Sequence, residues 1–452
     1  MNKFTSGNIR QPRLALGAPR TTFRIALAIT TLATGILTAA CQETSETTTN
    51  LGSESSSASG SSDGLKIGTL LPATGDLSSI GQQMPKAVRL AVDTVNQCGG
   101  INGNPVTVVS EDDQTDPNAG AAAMNKLVEV DKVAGVVGSF ASSVSTAAVP
   151  TAVRNQVMMI SPGSTSPVFT QKASQGDFNG FWARTAPPDT YQARALAKLA
   201  KEKGFDRVST VVINNDYGVG FEKEFVTAFE KLGGTVVNKS QPTRYDPKAT
   251  TFDTEAASAF GGDPEAVAAI LYAETGSLLL KSAYQQGLVD GKTVMLTDGV
   301  YSEDFPQQVG KSSDGKYILG GAIGTVPGAN GQGLEALTQA WKKETNQEVT
   351  AYVPHSYDAA VLLMLAAESA KANTGEGIKS KIREVSASPG TEVTDVCQAL
   401  ELIRKGEEVN YQGASGNVDI DENGDVLGDY DTWLVENNGS LDVTGKVSPE
   451  IN

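Results

Sequence analysis

Residues 66–110 read KIGTLLPATGDLSSIGQQMPKAVRLAVDTVNQCGGINGNPVTVVS, and this segment decides the fold class. It begins and ends with short apolar runs, Lys66–Leu71 and Val106–Ser110, which predict two β-strands. The apolar residues between them recur at steps of three and four, which predicts an amphipathic helix: Met84, Val88, Ala91, Val92 and Val95. A strand, a helix and a second strand in this order are typical of a parallel α/β sheet.

The same alternation continues along the chain. Further apolar runs predict strands at Val133–Gly138, Val157–Ser161, Arg207–Ile213, Thr235–Asn238, Val267–Tyr272, Thr293–Thr297 and Tyr317–Ala322. Most of these runs are continuous rather than alternating, as in strands that a parallel sheet buries on both faces. The segments between them have helical periodicity, for example at Phe221, Phe225 and Phe229. We therefore predict a doubly wound α/β fold, in which ligands bind outside the carboxyl ends of the strands.

Length and charge limit the classes of function. A chain of 452 residues exceeds the size of a single core, so two or three domains are expected. From Cys41 onward, 31 Lys and Arg residues stand against 52 Asp and Glu residues, and such an acidic body disfavours nucleic acid as a partner. Three Cys and one His offer little material for zinc, haem or iron-sulfur ligation, so no cofactor is expected.

The N-terminal segment has the features of an export signal. Five basic residues and no acidic ones precede Cys41, and the 16 residues Ile25–Ala40 are uncharged but too short for a comfortable membrane span. We interpret residues 1–40 as a signal peptide. The run ends LTAAC at residues 37–41, which resembles the lipobox of bacterial lipoproteins, where the Cys after the cleavage site is lipid-modified. The alternative is ordinary cleavage that leaves Cys41 as a free thiol.

Residues 41–64 are predicted to be a flexible tether. Of the 23 residues from Gln42 to Gly64, 12 are Ser or Thr and 3 are Gly, a composition that cannot form a core. Such a tether would keep the folded body close to a membrane surface. A spacer without a function is the alternative.

Cys98 and Cys397 remain once Cys41 is assigned. An even pair in an exported protein permits one disulfide bond. Two buried free thiols are the alternative, and the sequence alone does not decide between them.

Two hydroxyl-rich loops follow successive predicted strands. One is Gly138–Ser145, which opens a helix, and the other is Ser161–Pro167. Free backbone N–H groups at a helix start, with Ser and Thr hydroxyls beside them, can bind a small anion such as a carboxylate. The alternative is that Ser142 and Thr165 only cap helices. No Walker loop or glycine fingerprint lies between a strand and a helix, so nucleotide binding has no support.

The residues from Leu65 to about Val435 resemble the solute-binding proteins of branched-chain and neutral amino acid ABC transporters. The matching stretches, besides the two hydroxyl-rich loops, are Ile67–Gly75, Ala91–Asn96, Gly99–Gly103, Asp112–Pro117, Arg184–Asp189, Asp216–Gly218 and Tyr357–Ala359. The resemblance implies a type I periplasmic binding fold, in which two parallel-sheet lobes are joined by a hinge of several crossings and close on a ligand. The expected first lobe is residues 65–186 and 323–427, and the second is 187–322 and 428–452.

The resemblance also implies a ligand site. In the first lobe, Ser142 and Thr165 would bind a carboxylate, and the Gly163 carbonyl would help to bind an ammonium group. In the second lobe, Asp298 would pair with the α-ammonium group and Tyr217 would lie against the ligand. Two positions bear on the preference for a ligand side chain: Ile80, where some members of the family carry an aromatic residue, and Tyr272, which matches its counterpart within about one residue.

The resemblance implies partners as well as a site. The expected function is capture of a neutral or branched-chain amino acid in the periplasm and its delivery to an ABC permease, by a monomer anchored through Cys41. One alternative is a short amide or urea as ligand, against which Asp298 argues because such a ligand has no ammonium group. Another is a sensory ectodomain, which usually continues into a transmembrane helix, whereas residues 434–452 are polar.

Three other constellations are interpreted as structural. Asp419–Gly424 matches the first half of a calcium loop, but Tyr430 stands at the twelfth position, so a hairpin turn at Asn423–Gly424 is predicted instead. The acidic cluster Glu111–Asp116 is interpreted as loop hydrogen bonding and a helix start. His355 invites a hydrolase interpretation, but the chain has no Gly-x-Ser-x-Gly elbow, so we predict a capping or surface residue and no enzyme.

Overall fold

The structure, a computed structural model, describes residues 64–450. The expected signal peptide, Cys41 and the tether up to residue 63 lie outside the described residues, so these expectations stay predictions. Within residues 64–450, no helix has both the length and the apolar character that crossing a membrane requires.

The first sheet, sheet I, is wholly parallel. Its strands are β1 (Lys66–Leu71), β2 (Thr107–Asp112), β3 (Gly135–Gly138), β4 (Met158–Ser161) and β5 (Trp182–Arg184). They lie in the order β2-β1-β3-β4-β5. Each strand ends at the same edge of the sheet, so the loops that follow β1, β3 and β4 lie together there.

Helices cover both faces of sheet I. Those between its strands are α1 (Ser78–Gly81), α2 (Met84–Gln97), α3 (Pro117–Asn125), α4 (Ser142–Arg154) and α5 (Pro167–Ser174), and residues Lys126–Val130 continue α3 as a π-helical turn. The predicted apolar stripe of α2 is buried, including Val88, Ala91 and Val95. Separate apolar clusters lie on the two faces, one with Val88 of α2 and Ile67 of β1, the other with Met124 of α3 and Leu70 of β1.

The second sheet, sheet II, is mixed. Its strands are β6 (Arg207–Ile213), β7 (Thr235–Val236), β8 (Thr243–Tyr245), β9 (Ala266–Ile270), β10 (Thr293–Leu296), β11 (Ile323–Pro327), and β14 (Tyr430–Val435) and β15 (Leu441–Val447). The order is β15-β14-β11-β10-β9-β6-β7, with β8 also on β6. The strands from β6 to β11 are parallel, and β14 and β15 extend the sheet as an antiparallel hairpin.

Helices also cover both faces of sheet II. Its helices are α6 (Asp189–Glu202), α7 (Asp216–Lys231), α8 (Asp253–Phe260), α9 (Ala273–Gln285) and α10 (Asp304–Val309), with a 3₁₀ turn at Asp298–Val300. Phe221, Phe225 and Phe229 of α7 are fully buried, as the helical spacing predicts. The doubly wound α/β prediction is therefore confirmed for both sheets.

The chain passes between the two sheets three times. It leaves sheet I after β5 and enters α6, and it returns after β11 through α11 (Leu334–Thr345) to α12 (Val353–Ala370), α13 (Gly375–Ser386) and α14 (Val396–Arg404). Helix α12 packs on α2, α13 and α14, beside a small parallel sheet of β12 (Thr391–Val393) and β13 (Val409–Tyr411). The chain then crosses again to β14. A disulfide bond between Cys98 and Cys397, whose Cα atoms are 5.5 Å apart, joins α14 to the end of α2.

Two expected elements differ from the structure. Residues 317–322 do not form a strand, because Gly321 has a positive φ of 90° and residues 319–322 turn; the strand begins at Ile323. That strand pairs with β10 and β14, so Ile323–Pro327 belongs to sheet II, although the sequence placed residue 323 in the first lobe. The predicted hairpin strands around Asn423–Gly424 are also absent from the described chain, and only a turn closed by Asp421 is present.

Candidate ligand site between the two sheets

The carboxyl ends of both sheets face one small enclosed space. Its lining comes from the loops after β1, β3, β4, β9 and β10 and from the start of α7: Leu77, Phe140, Ala141, Ser142, Gly163, Tyr217, Tyr272, Asp298 and Gly299. The volume is about 10 Å³, so the two walls are in contact. Five of the sequence-predicted residues therefore meet here, namely Ser142, Gly163, Tyr217, Tyr272 and Asp298.

The wall from sheet I presents hydroxyl groups. Ser142 is the first residue of α4, and its Oγ accepts a hydrogen bond from the Ser166 backbone N–H at 3.2 Å. Thr165 is fully buried behind this lining, and its hydroxyl lies beside the Asp189 carboxylate, whose pKa it lowers. Neither residue is an N-cap, since Ala141 precedes α4 and Ser166 caps α5. The capping alternative is therefore wrong for both.

Gly163 lies where a side chain has no room. A Cβ at this position would stand 2.1 Å from Cε2 of Phe140, so any larger residue would displace that ring. Phe140 in turn lines the enclosed space and packs edge-on against Tyr352, with ring centroids 4.7 Å apart. The close approach of the two loops therefore depends on glycine.

A buried arginine fixes the loop that carries Thr165. Arg184, at the end of β5, donates to the Ser164 carbonyl at 2.9 Å and to the Ser166 carbonyl at 3.1 Å. It is fully buried and pairs with Asp425 at 2.7 Å, so its charge is compensated. The loop on both sides of Thr165 is thus held by one guanidinium group, whose planar fork of donors suits two carbonyl acceptors.

The wall from sheet II presents a carboxylate. Asp298 follows β10 and is 3% exposed. Its Oδ1 accepts from the Tyr217 hydroxyl at 3.0 Å, and its Oδ2 accepts from the Tyr352 hydroxyl at 2.7 Å. Burial raises the pKa of Asp298 above its ordinary value, and these two hydrogen bonds partly offset the rise.

Asp189 is a second buried acid, which lies next to Asp298 and Thr165 but outside the lining of the space, and no sequence motif assigned it to the site. It is the first residue of α6 and is fully buried, its backbone N–H donates to the Thr165 carbonyl at 2.8 Å, and the Thr165 hydroxyl beside its carboxylate lowers its pKa. Burial raises its pKa well above the ordinary value, and the negative charge of Asp298 raises it further. The signal was available in part, because an acid directly after Pro187-Pro188 lies at a helix start within the family-like stretch Arg184–Asp189.

Gln192 lies one helical turn after Asp189 and has the same character. It is fully buried, its Nε2 donates to the Thr325 carbonyl at 3.0 Å, and its Oε1 has no partner in the described chain. This oxygen and the Asp189 carboxylate are two buried acceptors close to Asp298, and the Thr165 hydroxyl beside Asp189 is able to donate. A group of this kind suits a ligand that brings several N–H donors and a positive charge.

No cation of the described chain neutralises the two acids. None of the ion pairs within residues 64–450 includes Asp189 or Asp298. The positive charge of Arg184 lowers the pKa of Asp189 somewhat, but Arg184 is already paired with Asp425. The site therefore has a negative wall at sheet II and a wall of hydroxyls and N–H groups at sheet I.

Aromatic and apolar side chains fill the rest of the site. Tyr272 stacks on Tyr217, with ring centroids 5.7 Å apart and planes 12° from parallel. Leu77, in the loop between β1 and α1, lines the enclosed space, whereas the expected Ile80 is buried in α1 and is not among the lining residues.

The acidic cluster after β2 has the structural role that the sequence indicated. Asp116 caps α3 by accepting from the backbone N–H groups of Asn118 and Ala119, and Asp112 accepts from Ala73 and Thr74 across the neighbouring loop. Loop hydrogen bonding and a helix start therefore account for these acids. Within residues 64–450, no group of three or more His, Cys, Asp and Glu side chains is placed to hold a metal ion.

The prediction for His355 was wrong. His355 is 2% exposed in the first turn of α12, neither a surface residue nor a helix cap, and burial lowers its pKa to about 3. Its ring centroid lies 5.2 Å from that of Tyr352. Helix α12 places the His355 side chain in the protein interior. This burial depends on long-range packing, which the residues around His355 in the sequence do not reveal.

The fold and the site together define the class of protein. In the described residues, two doubly wound α/β units are joined by three crossings, and the carboxyl edges of their sheets face each other; this is the architecture of type I periplasmic solute-binding proteins. The sequence profile described as "Receptor family ligand binding region" matches residues 83–438, and the chain belongs to this family.

Individual relatives agree with this assignment. The chemotactic signal transduction system substrate-binding protein BasB of Halobacterium salinarum is 29% identical over 78% of this chain and 83% of its own length. The Leu/Ile/Val-binding protein homolog 3 of Brucella melitensis is 26% identical over 68% and 79%, respectively. The crystal structure of a leucine-binding protein, LivK, from Thermotoga maritima has a TM-score of 0.71 and 25% identity, covering 85% of this chain and 99% of that one.

Proposed function

We propose that this protein captures a neutral or branched-chain amino acid between two closing lobes and delivers it to an ABC permease. One observation carries the proposal: the site places Ser142 and the N–H groups at the start of α4 opposite the buried Asp298, which has no ion pair among the described residues, with a second buried acid, Asp189, beside it. A zwitterion has the matching charges, with a carboxylate for the first wall and an ammonium group for the second. Burying either charge without such a partner is costly.

Each end of the ligand has proposed partners. The ligand carboxylate would bind Ser142, Thr165 and the N-terminal N–H groups of α4, where the helix dipole favours an anion. The ligand ammonium group would bind Asp298 and Asp189, with the Gly163 carbonyl beside them. Tyr217 would lie against the ligand between the two ends, and its hydroxyl would keep Asp298 in place.

The apolar part of the site supports an apolar ligand side chain. Leu77, Phe140 and the ring of Tyr272 line the space; Asp298 is the acid of this lining, and Asp189 is buried next to it. Two relatives carry leucine, isoleucine or valine in their names, which agrees with this lining. The enclosed volume of about 10 Å³ is too small for any amino acid, so entry requires the walls to separate.

Lobe closure around the three crossings is the proposed motion. The first lobe would consist of sheet I with residues from about 328 to 427, and the second would consist of sheet II, now including Ile323–Pro327, with the C-terminal hairpin. Contacts already join the two walls, among them Thr275 Oγ1 to Asp76 at 2.6 Å and Lys248 to Asp116 at 3.3 Å. These contacts would break on opening.

Delivery to a permease and signalling are the two uses that a binding protein of this kind could serve. The name of BasB refers to chemotactic signalling, and a sensory role is therefore the alternative to transport. The export signal, the anchor through Cys41, a periplasmic location, a monomeric state and the absence of catalysis belong to the proposal. Uptake of a radiolabelled amino acid by cells that lack the protein tests it: lost uptake supports delivery, and normal uptake with lost taxis supports sensing.

A thermal-shift screen tests the ligand class. The panel is the twenty amino acids, urea, acetamide and 4-methylpentanoate, the des-amino analogue of leucine. A ligand that binds only the folded form raises the Tm, so a tight amino acid should stabilise the protein by about 2.7 kcal/mol at a hundred times its Kd. The des-amino analogue should stabilise it far less. Stabilisation by urea or acetamide without any by an amino acid would replace this proposal with amide capture.

A further inference from the structure

We propose that Tyr352 is a positioning residue of the ligand site, which orients the Asp298 carboxylate toward the ligand ammonium group from the opposite side of the cleft. The inference rests on the proposed function. Tyr352 is 1% exposed and its hydroxyl donates to Asp298 Oδ2 at 2.7 Å. It lies 54 residues from Asp298 in the chain, and no sequence motif marks it.

The two oxygens of Asp298 are held from different sheets. Oδ1 accepts from Tyr217 of α7, whose hydroxyl also contacts Thr297 Oγ1 at 2.7 Å, so this side belongs to sheet II. Oδ2 accepts from Tyr352, which directly precedes α12, a helix that packs on α2 and α13 of sheet I. The bond from Tyr352 is therefore the one that ties the acid to the other wall.

The backbone and ring of Tyr352 are both constrained. Its φ is 65°, a left-handed conformation that costs a non-glycine residue energy and that persists where the surroundings require it. Its ring packs edge-on against Phe140, which lines the site and is backed by Gly163. Movement of the sheet I wall would therefore move the hydroxyl that orients Asp298.

The hydrogen bond leaves room for the ligand. A carboxylate oxygen has two lone pairs, so Oδ2 can accept from Tyr352 and from an ammonium N–H at the same time. A hydrogen bond to a charged group is stronger than one between neutral groups. The Tyr352 hydroxyl thus fixes the orientation of the carboxylate and leaves a lone pair of Oδ2 for the ligand ammonium group.

The role of Tyr352 can be tested through the pH dependence of ligand affinity, which depends on the ionisation of Asp298 and of the groups around it. Asp189 and Gln192 of α6 and Tyr217 of α7 face Asp298, as do Thr297, Tyr272 and Tyr430, while His355 beside Tyr352 is neutral because its pKa is about 3. Arg184 lowers the pKa of Asp189 and of Tyr430, and its own charge is paired with that of Asp425. Removing the Tyr352 hydroxyl therefore raises the pKa of Asp298, since that bond favours the ionised form.

The test is Tyr352→Phe, measured by isothermal titration with L-leucine, or with whichever of the twenty amino acids binds most tightly in the screen. We expect affinity to fall about 10- to 100-fold near neutral pH, as for a lost hydrogen bond to a charged group. The acid side of the affinity profile should shift to higher pH. In an Asp298→Asn background the same substitution should have little further effect.

Tyr411→Phe is the matched control. Tyr411 is a buried tyrosine whose hydroxyl donates to a buried acid, Asp358, at 3.0 Å, but neither residue lines the site. This variant should lose stability and keep both the affinity and the pH profile. If Tyr352→Phe does not fold, Phe140→Leu, which removes the ring that orients Tyr352, should give the same pH shift.

The outcomes are distinct. An unchanged affinity and pH profile in Tyr352→Phe, or equal changes in Tyr411→Phe, would overturn this inference alone. This inference would also be overturned if the losses of binding free energy in Tyr352→Phe and Asp298→Asn were fully additive in the double variant. Failure of the wild-type protein to bind any amino acid would overturn the proposed function, and this inference with it.

Discussion

Asp298 is the residue that separates amino acid capture from amide capture. In Asp298→Asn the amide oxygen can still accept from one phenol and the NH₂ group can donate to the other, so the fold should persist. The ligand ammonium group would lose its charged partner, which costs about 3 to 5 kcal/mol for a buried pair. We expect affinity for the amino acid to fall by roughly two to four orders of magnitude in calorimetry. Equal affinity in mutant and wild type would contradict the zwitterion model. The des-amino analogue is the ligand control, because it lacks the ammonium group and its affinity should depend much less on Asp298.

Asp189 should show opposite effects on stability and on binding. Its pKa is raised in the folded protein, so folding favours the protonated acid and the free energy of unfolding falls as pH rises above the ordinary carboxyl range. Asp189→Asn does not titrate there. We expect the ligand-free variant to gain a few degrees in Tm at neutral pH, and to lose about 10- to 100-fold in amino acid affinity.

Differential scanning fluorimetry with and without ligand checks both effects of Asp189→Asn. A variant with a lower Tm and unchanged affinity would show that Asp189 serves the fold rather than the ligand. Asp425→Asn is a useful comparison, because Asp425 neutralises Arg184 and its loss should lower the Tm instead.

At the scale of elements, Asp113 connects the loops that follow β2 and β3. Its Oδ2 accepts from Ser139 Oγ and its Oδ1 from the Thr115 N–H at 2.9 Å. Burial raises the pKa of Asp113 to about 6 from the ordinary 3.8, and the hydrogen bonds only partly oppose this. The folded pKa is thus above the unfolded one, so the contribution of this group to stability is greatest below pH ~4 and decreases by about 3 kcal/mol up to pH ~6.

Asp113→Asn should remove that pH dependence. Denaturant unfolding between pH 4 and 7.5 measures it, and the variant should gain stability mainly above pH ~6. Asp112→Asn is the control of opposite sign, because hydrogen bonds from Thr74, Gln114 and Ala73 outweigh burial and lower the pKa of Asp112. Its loss should destabilise the protein at neutral pH. The same pH slope in wild type and Asp113→Asn would contradict the assignment.

For the whole molecule, the disulfide bond between Cys98 and Cys397 closes a loop of 299 residues. It joins the end of α2 to α14 at the edge of sheet I away from the ligand site, where Arg404 also donates to the Cys98 and Gly100 carbonyls. Replacing both cysteines with serine should lower the free energy of unfolding by about 2 to 5 kcal/mol, with ligand affinity unchanged. Mass spectrometry of non-reduced, alkylated peptides checks the bond itself, and two alkylated thiols would contradict it.

Local periodicity in the sequence is sufficient to predict most of the helices and strands. Continuous apolar runs such as Arg207–Ile213 and the helical spacing of Phe221, Phe225 and Phe229 depend on local periodicity, which a sequence displays directly. The strand-end rule places Ser142 and Asp298 each at the carboxyl edge of its own sheet, and only the resemblance to the solute-binding family implied that the two residues share one site.

Which distant groups come together in the candidate site depends on long-range packing. Asp189, Tyr352 and His355 have ordinary local contexts, and their burial results from helices and loops that pack on them from other parts of the chain. Strand β11 belongs to sheet II because it pairs with β10 and β14. The sequence of its five residues does not indicate which sheet it joins. The energy of a buried charge depends on the solvent that is removed and on the partners that are brought near, and both are properties of the folded chain.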